Sequence, residues 1–190
     1  MRVSRAQAQE NRARVVDTAS ALFRERGYDG IGVVELMAAA GLSHGGFYNQ
    51  FKSKAALMSE AAACGLARSS EDMADVDVGR FITHYLSRKH RDSRADGCTI
   101  AALGGDAARQ DDEIKRVFQT GIVAMVDGFT ERLAADGLPH TRANVLSMVA
   151  QMVGALMLSR ACPDDAPLAD EILDTCRADL LAQLSGAPAK

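Results

Sequence analysis

From Asp111 to Asp136 the apolar residues Ile114, Val117, Phe118, Ile122, Met125, Val126, Phe129 and Leu133, with Gly121 among them, keep a helical period without interruption. Asp111, Asp112 and Glu113 stand at the start, where the positive end of a helix dipole favours carboxylates. Gly137-Leu138-Pro139 closes the run. A stretch this long and regular commits the chain to helix packing. The rest of the sequence repeats the theme. Val15, Val16, Ala19, Leu22 and Phe23 make one face of a helix over Arg12–Arg26, stopped by Gly27. Short helices are expected at Val33–Ala40 and His44–Phe51, and a longer one from Lys54 to Arg68. Phe81, Ile82, Tyr85 and Leu86 form a further stripe. Cys98–Arg109, Thr141–Cys162 and Leu168–Leu184 complete the set. Ser69–Asp77 reads as a loop or a frayed helix end, Arg88–Gly97 as a loop, and Gly186-Ala187-Pro188 as a tail. The expectation is an all-α fold of about nine helices, with no strand.

Composition bounds the function. The net charge is −3, but it is unevenly placed: residues 1–60 carry +2 and residues 61–190 carry −5. A basic amino terminus, with Arg2, Arg5, Arg12 and Arg14, on an acidic body fits a nucleic-acid-binding head. The four cysteines form no C-x-x-C pair and no zinc spacing, which points to reduced thiols and to no metal. The start is polar and arginine-rich, unlike a signal peptide. The longest apolar run, Val145 to Ser159, is interrupted by Ser147, Gln151 and Gly154, so no membrane span is expected. There is no G-x-S-x-G, phosphate loop, H-E-x-x-H or clustered acid–base set, so neither catalysis nor a cofactor is expected. A cytoplasmic protein is expected.

The segment with most functional content is VVELMAAAGLSHGGFYNQF, residues 33–51. Two short helices about a glycine turn suit a helix-turn-helix, whose second helix offers its N-terminal residues to the major groove. Val33, Leu36, Met37, Leu42, Phe47 and Phe51 can lock the two helices together. Ser43, His44, Gly45, Gly46, Tyr48, Asn49 and Gln50 are left to face outward. On spacing alone, a helical hairpin with a solvated polar face fits equally well.

Residues Val15 to Leu57 resemble the DNA-binding domain of the tetracycline-repressor (TetR) family. The match runs through Ala19, Leu22-Phe23, Arg26-Gly27-Tyr28, Val33 to Ser43, Gly45, Phe47-Tyr48 and Phe51-Lys52-Ser53-Lys54. The resemblance implies a three-helix head over residues 9–69, with the motif at about 32–51, and a ligand-binding and dimerisation body over 70–186. It implies that Tyr48 and Lys54 hold phosphates while Ser43, Gly45, Gly46 and Asn49 lie nearest the groove. His44 stands where a Lys is common, and Gly46 where a Thr, Ser or Ala often reaches toward DNA. Gln50 could read an adenine if it points outward.

In such a body the pocket candidates are Phe81, Tyr85, Cys98, Met125, Phe129 and Met152, each of which core packing would also explain. His84 and His90 could bind a metal or a polar effector, although surface histidines are the simpler reading. Val149, Met152, Val153 and Leu156, with Ile172, Cys176 and Leu180 on the last helix, are the candidates for an isologous four-helix dimer interface. The implied partners are near-palindromic double-stranded operator DNA, a second copy of the chain, and a small-molecule effector of unknown identity. The implied function is a repressor released by that effector. The alternative is an effector-free structural or cell-division factor of the same fold, which a filled body core would favour.

Overall fold

The computed structural model describes residues 4–74, 76–138 and 140–185. Arg2, Pro139 and the Gly186–Pro188 tail lie outside them. Among the described residues there are nine α-helices and no strand: α1 Arg5–Arg26, α2 Val33–Ala39, α3 Lys54–Ala74, α4 Val78–Tyr85, α5 Arg88–Asp92, α6 Thr99–Ala107, α7 Asp112–Ala135, α8 Arg142–Ala161 and α9 Pro167–Leu184.

Local chemistry sets most boundaries. Ser4 caps α1 by accepting the Gln7 N–H at 3.1 Å. Asp111 caps α7 through the Ile114 N–H. Thr141 and Asn144 exchange bonds in a capping box at the start of α8. Gly27 and Gly41 stop α1 and α2 with φ of 77° and 72°, a left-handed conformation that costs a side-chain-bearing residue free energy.

Two cores form. The first gathers Val15, Ala19, Phe23, Leu36, Met37, Phe47, Phe51 and Leu57 around α1–α3. It also takes in Leu103 and Ala107 of α6 and Ile114 and Phe118 of α7. The second fills the body with Ile82, Leu86, Val126, Phe129, Leu133, Met148, Met152, Leu156, Leu173 and Leu180. Helix α3 serves both: Leu57, Met58, Ala61 and Ala62 pack in the first core and Leu66 in the second.

Several loop expectations give way. Helix α3 runs on to Ala74, so that most of Ser69–Asp77 is the end of a helix and not a loop. Helix α3 as a whole lies along α7, its most extensive helix partner. Within the expected Arg88–Gly97 loop, Ser87 caps the short helix α5. Arg91, 1% exposed, donates to the carbonyls of Ser159 and Cys162 and pairs with Asp92 and Asp164. A charge this deeply buried needs that full set of acceptors, and all but the neighbouring Asp92 are supplied by α8 and the turn after it, remote in sequence.

Helix α8 is long and apolar enough, by length and composition, to cross a membrane. In this fold it packs against α7 and α9.

Candidate functional site

The head is built from α1, α2 and the segment after Gly41. Phe47 and Phe51 are buried and stacked at 5.5 Å, which clamps that segment onto Leu36 and Met37. Only His44–Gly46 is regular there, as one 3₁₀ turn, followed by irregular turns to Gln50. The helix expected over His44–Phe51 is therefore not continuous. Two adjacent glycines remove about 1 kcal/mol each of helix propensity relative to Ala, and the buried phenylalanines hold the segment by packing instead.

Ser43, His44, Gly45, Tyr48 and Asn49 are exposed, and Gly46 is half-buried. Tyr48 is 69% exposed; its ring rests edge-on against Phe47 at 5.1 Å, with His44 at 6.4 Å. These residues form one polar face. Gln50 departs from the expectation. Its Oε1 is buried without a protein partner, and its Nε2 lies near Gly46. The tight turns after Gly46 change the phase of the chain and swing Gln50 inward.

Lys54 is half-buried at the start of α3. Its Nζ donates to the Tyr28 carbonyl at 2.6 Å, tying α3 to the turn between α1 and α2. Two of its three donors are left over. Arg12, one of the arginines of the basic amino terminus, lies over the Phe51 ring at 4.7 Å and pairs with Glu60.

The body holds a cavity of about 380 Å³ between α3, α4, α6 and α7. Phe81, Tyr85, Cys98 and Met125 line it, as expected of four of the six candidates. Phe129 and Met152 do not. Phe129 stands behind Phe81, edge-on at 5.3 Å, and Met152 is fully buried in the core. Helical spacing groups residues on a face but does not say which ones meet a void. Leu66, Ile100 and Gly121 complete the apolar wall.

His90 also lines the cavity and is not a surface residue. It is 8% exposed, its Nδ1 meets the Tyr85 carbonyl at 2.7 Å, and its Nε2 accepts the Cys98 N–H at 3.1 Å. Burial lowers its pKa, against the pull of the Tyr85 carbonyl, and the two bonds define the neutral Nδ1–H tautomer. Both polar ends of the ring are thereby used inside the protein, which is why an isolated histidine in a charged stretch misleads the eye. His84 is exposed at the rim, stacked on His90 at 5.9 Å.

Cavity and head are joined directly. Cys98 caps α6 at the cavity, while Leu103 and Ala107 at the other end of α6 sit in the head core. Asp106 of α6 accepts the Tyr28 N–H at 3.1 Å. Arg24 of α1 donates to the Ala95 carbonyl at 2.7 Å and to Ser20 at 2.6 Å; Ala95 precedes the cavity residues Asp96, Gly97 and Cys98.

The outward face of α8 differs from the expected one. Met152, Leu156 and Leu180 are fully buried within the chain, and Val149 nearly so, so they cannot meet another copy. Val153, Ile172 and Cys176 are half-buried. The exposed apolar residues are Leu146, Met157 and Leu158 on α8 and Leu168 on α9. A helix apolar around its circumference gives no moment by which sequence could choose the inner side.

Comparison with known proteins agrees with this architecture. Residues 15–61 match the bacterial regulatory proteins of the tetR family, and residues 77–171 match the C-terminal domain of LmrA/YxaF-like transcriptional regulators. An HTH-type transcriptional regulator of Mycobacterium tuberculosis strain H37Rv is 30% identical, over 91% of this chain and 95% of its own. Among solved structures, the reduced form of NemR from E. coli has a TM-score of 0.77 at 16% identity, covering 92% of this chain and 97% of its own. A TetR transcriptional regulator from Chloroflexus aurantiacus has a TM-score of 0.75 at 24% identity, covering 96% and 98%. The motif about Gly41, the helical body and these matches over both halves make the chain a member of the TetR family, a helix-turn-helix regulator of transcription that binds DNA.

Proposed function

We propose that this regulator is a one-component repressor: a homodimer that holds a near-palindromic operator and is released when a small molecule enters the body cavity. The observation that carries the reading is the cavity itself, about 380 Å³ and joined to the head through α6 and Arg24. That volume lies within the roughly 300–1,000 Å³ usual for small-molecule sites, and it weighs against an effector-free factor with a filled body.

In this reading Ser43, His44, Gly45, Gly46 and Asn49 lie in the major groove, and Tyr48 and Lys54 hold phosphates. Gln50 joins them only if DNA turns it outward. The protein works in the cytoplasm and has no catalytic role. Two heads must reach successive grooves about 34–36 Å apart. A ligand that shifts α6 against α1 changes that separation without touching DNA.

The exposed apolar residues Leu146 and Met157, on one side of α8, support pairing of α8 and α9 across a two-fold axis. Met157→Glu should then give monomers in light scattering and abolish tight operator binding. Filling the cavity with Cys98→Trp should change operator affinity roughly 5- to 150-fold, the usual range of allosteric coupling. A Cys98→Trp protein that is folded, dimeric and unchanged in operator affinity, with no small molecule shifting that affinity either, would overturn release by an effector.

A further inference from the structure

One end of the cavity is chemically one-sided. Tyr85 lines it and is 3% exposed, yet its hydroxyl has no partner within the protein. The Cys98 thiol stands beside the hydroxyl, but the two do not meet in hydrogen-bonding geometry. Burial raises the phenol's pKa well above its ordinary value, so it stays protonated and can donate. His90 cannot serve it, because both ring nitrogens are committed to the Tyr85 carbonyl and the Cys98 N–H. The Arg160 guanidinium adds positive potential near the same hydroxyl. Its Nε and Nη2 donate to the Arg91 and His90 carbonyls, at 2.9 and 3.1 Å, while its buried Nη1 has no protein partner. Leu66, Phe81, Ile100 and Met125 make most of the remaining wall apolar; of the polar residues there, Ser69 donates its hydroxyl to the Gly65 carbonyl, and His84 and Asp96 stand at the exposed rim.

A buried donor without a partner forfeits free energy on folding and calls for an explanation. The Tyr85 hydroxyl is such a donor on a residue that lines the cavity, while Arg160 lies outside the lining and acts there only through its charge. We infer that the cavity takes an apolar small molecule carrying one oxygen acceptor, a carbonyl or carboxylate, which seats on the Tyr85 hydroxyl with its apolar body against Leu66, Phe81 and Met125. Asp96, exposed at the rim, repels a negative group there and so favours entry with the acceptor end innermost. This inference rests on reading the cavity as the effector site.

The test uses the full chain, as wild type and as Tyr85→Phe, with three probes of matched shape: methyl naphthyl ketone, naphthoate and isopropylnaphthalene. Binding is read from the isotope-labelled methyl of Met125, assigned through Met125→Leu. At least one of the two oxygenated probes should bind wild type about ten-fold more tightly than the hydrocarbon, the size of one well-made hydrogen bond. Tyr85→Phe should shrink that preference to about two-fold and leave the hydrocarbon's affinity unchanged. A stronger ketone identifies a neutral acceptor, and a stronger naphthoate one helped by Arg160; either supports the inference. Unliganded Tyr85→Phe should melt no lower than wild type, since no internal bond is lost. A Tyr85→Phe protein that melts several degrees lower would show the hydroxyl to be satisfied internally and overturn the inference. Equal binding of all three probes to wild type, or no probe reaching Met125, would overturn it too. None of these outcomes bears on operator release, which Cys98→Trp tests separately in the DNA assay.

Discussion

Gly121 of α7 faces Leu66 of α3 with no room for a side chain, and Gly121→Ala measures how tightly the two helices are joined. A Cβ at this position would lie 2.6 Å from both Leu66 Cδ atoms and 2.9 Å from its Cγ. Ordinary carbon contacts need about 3.5–4.0 Å, so the overlap is close to 1 Å at three atoms. Leu66 is buried in the body core and lines the cavity, so it has little room to yield except into the cavity. Overpacking of this kind costs about 1–3 kcal/mol. Replacing a mid-helix glycine returns about 1 kcal/mol of propensity. The net destabilisation is therefore up to about 2 kcal/mol, or a melting point lowered by up to about 8 °C for a chain of this length. Leu66→Ala removes all three crowding atoms. Alone it should cost about 2–5 kcal/mol, but in its background Gly121→Ala should turn stabilising, by about 1 kcal/mol. That reversal, read from urea unfolding of the four proteins in a double-mutant cycle, is the diagnostic result. Additive costs, or the same sign in both backgrounds, would refute the close packing of α3 on α7 here. The Leu variant at Gly121 would be worse than Ala for the same reason, so it is not a benign way to fill the cavity.

Three further outcomes follow from the same geometry. Gly45→Ala with Gly46→Ala meets no close contact, so it should raise the melting point by a few degrees through helix propensity; operator affinity should fall if the backbone approaches DNA there, and an unchanged affinity removes that role. Lys54→Met should lower stability by about 1 kcal/mol through loss of its bond to Tyr28, and should flatten the logarithmic salt dependence of DNA binding by about one unit if Lys54 also holds a phosphate; an unchanged slope leaves it a purely structural residue. Burial holds the His90 pKa below its ordinary 6.5, so the unfolded chain binds the proton more readily. The stability carried by His90 is complete above pH about 6.5 and is lost as pH falls through the folded pKa; His90→Gln should be less stable than wild type at neutral pH, with a shallower loss on acidification, and parallel melting curves across that range would refute it.

What the sequence alone determined is what local chemistry determines. Gly27 and Gly41 end helices because a left-handed residue is needed where they stand. Asp111 and Thr141 begin helices because their side chains reach an N–H three residues ahead. Apolar spacing made the chain helical throughout, and the many spaced matches from Val15 to Leu57 identified the head. Four cavity residues, Phe81, Tyr85, Cys98 and Met125, were also within reach, since small, aromatic and sulfur-bearing side chains suit an adaptable apolar site. The tertiary structure decided the rest, wherever the deciding partner is remote in sequence. The burial of His90 depends on the backbone of Tyr85 and Cys98 folding around one ring. Arg91 is buried because carbonyls near the end of α8 are there to receive it. The inward turn of Gln50 and the shortened helix after Ser43 follow from Phe47 and Phe51 being clamped on Leu36 and Met37. The choice between Met152 inside and Met157 outside on α8 was made by packing against α7 and α9, because periodicity identifies an apolar face only when a polar one lies opposite it.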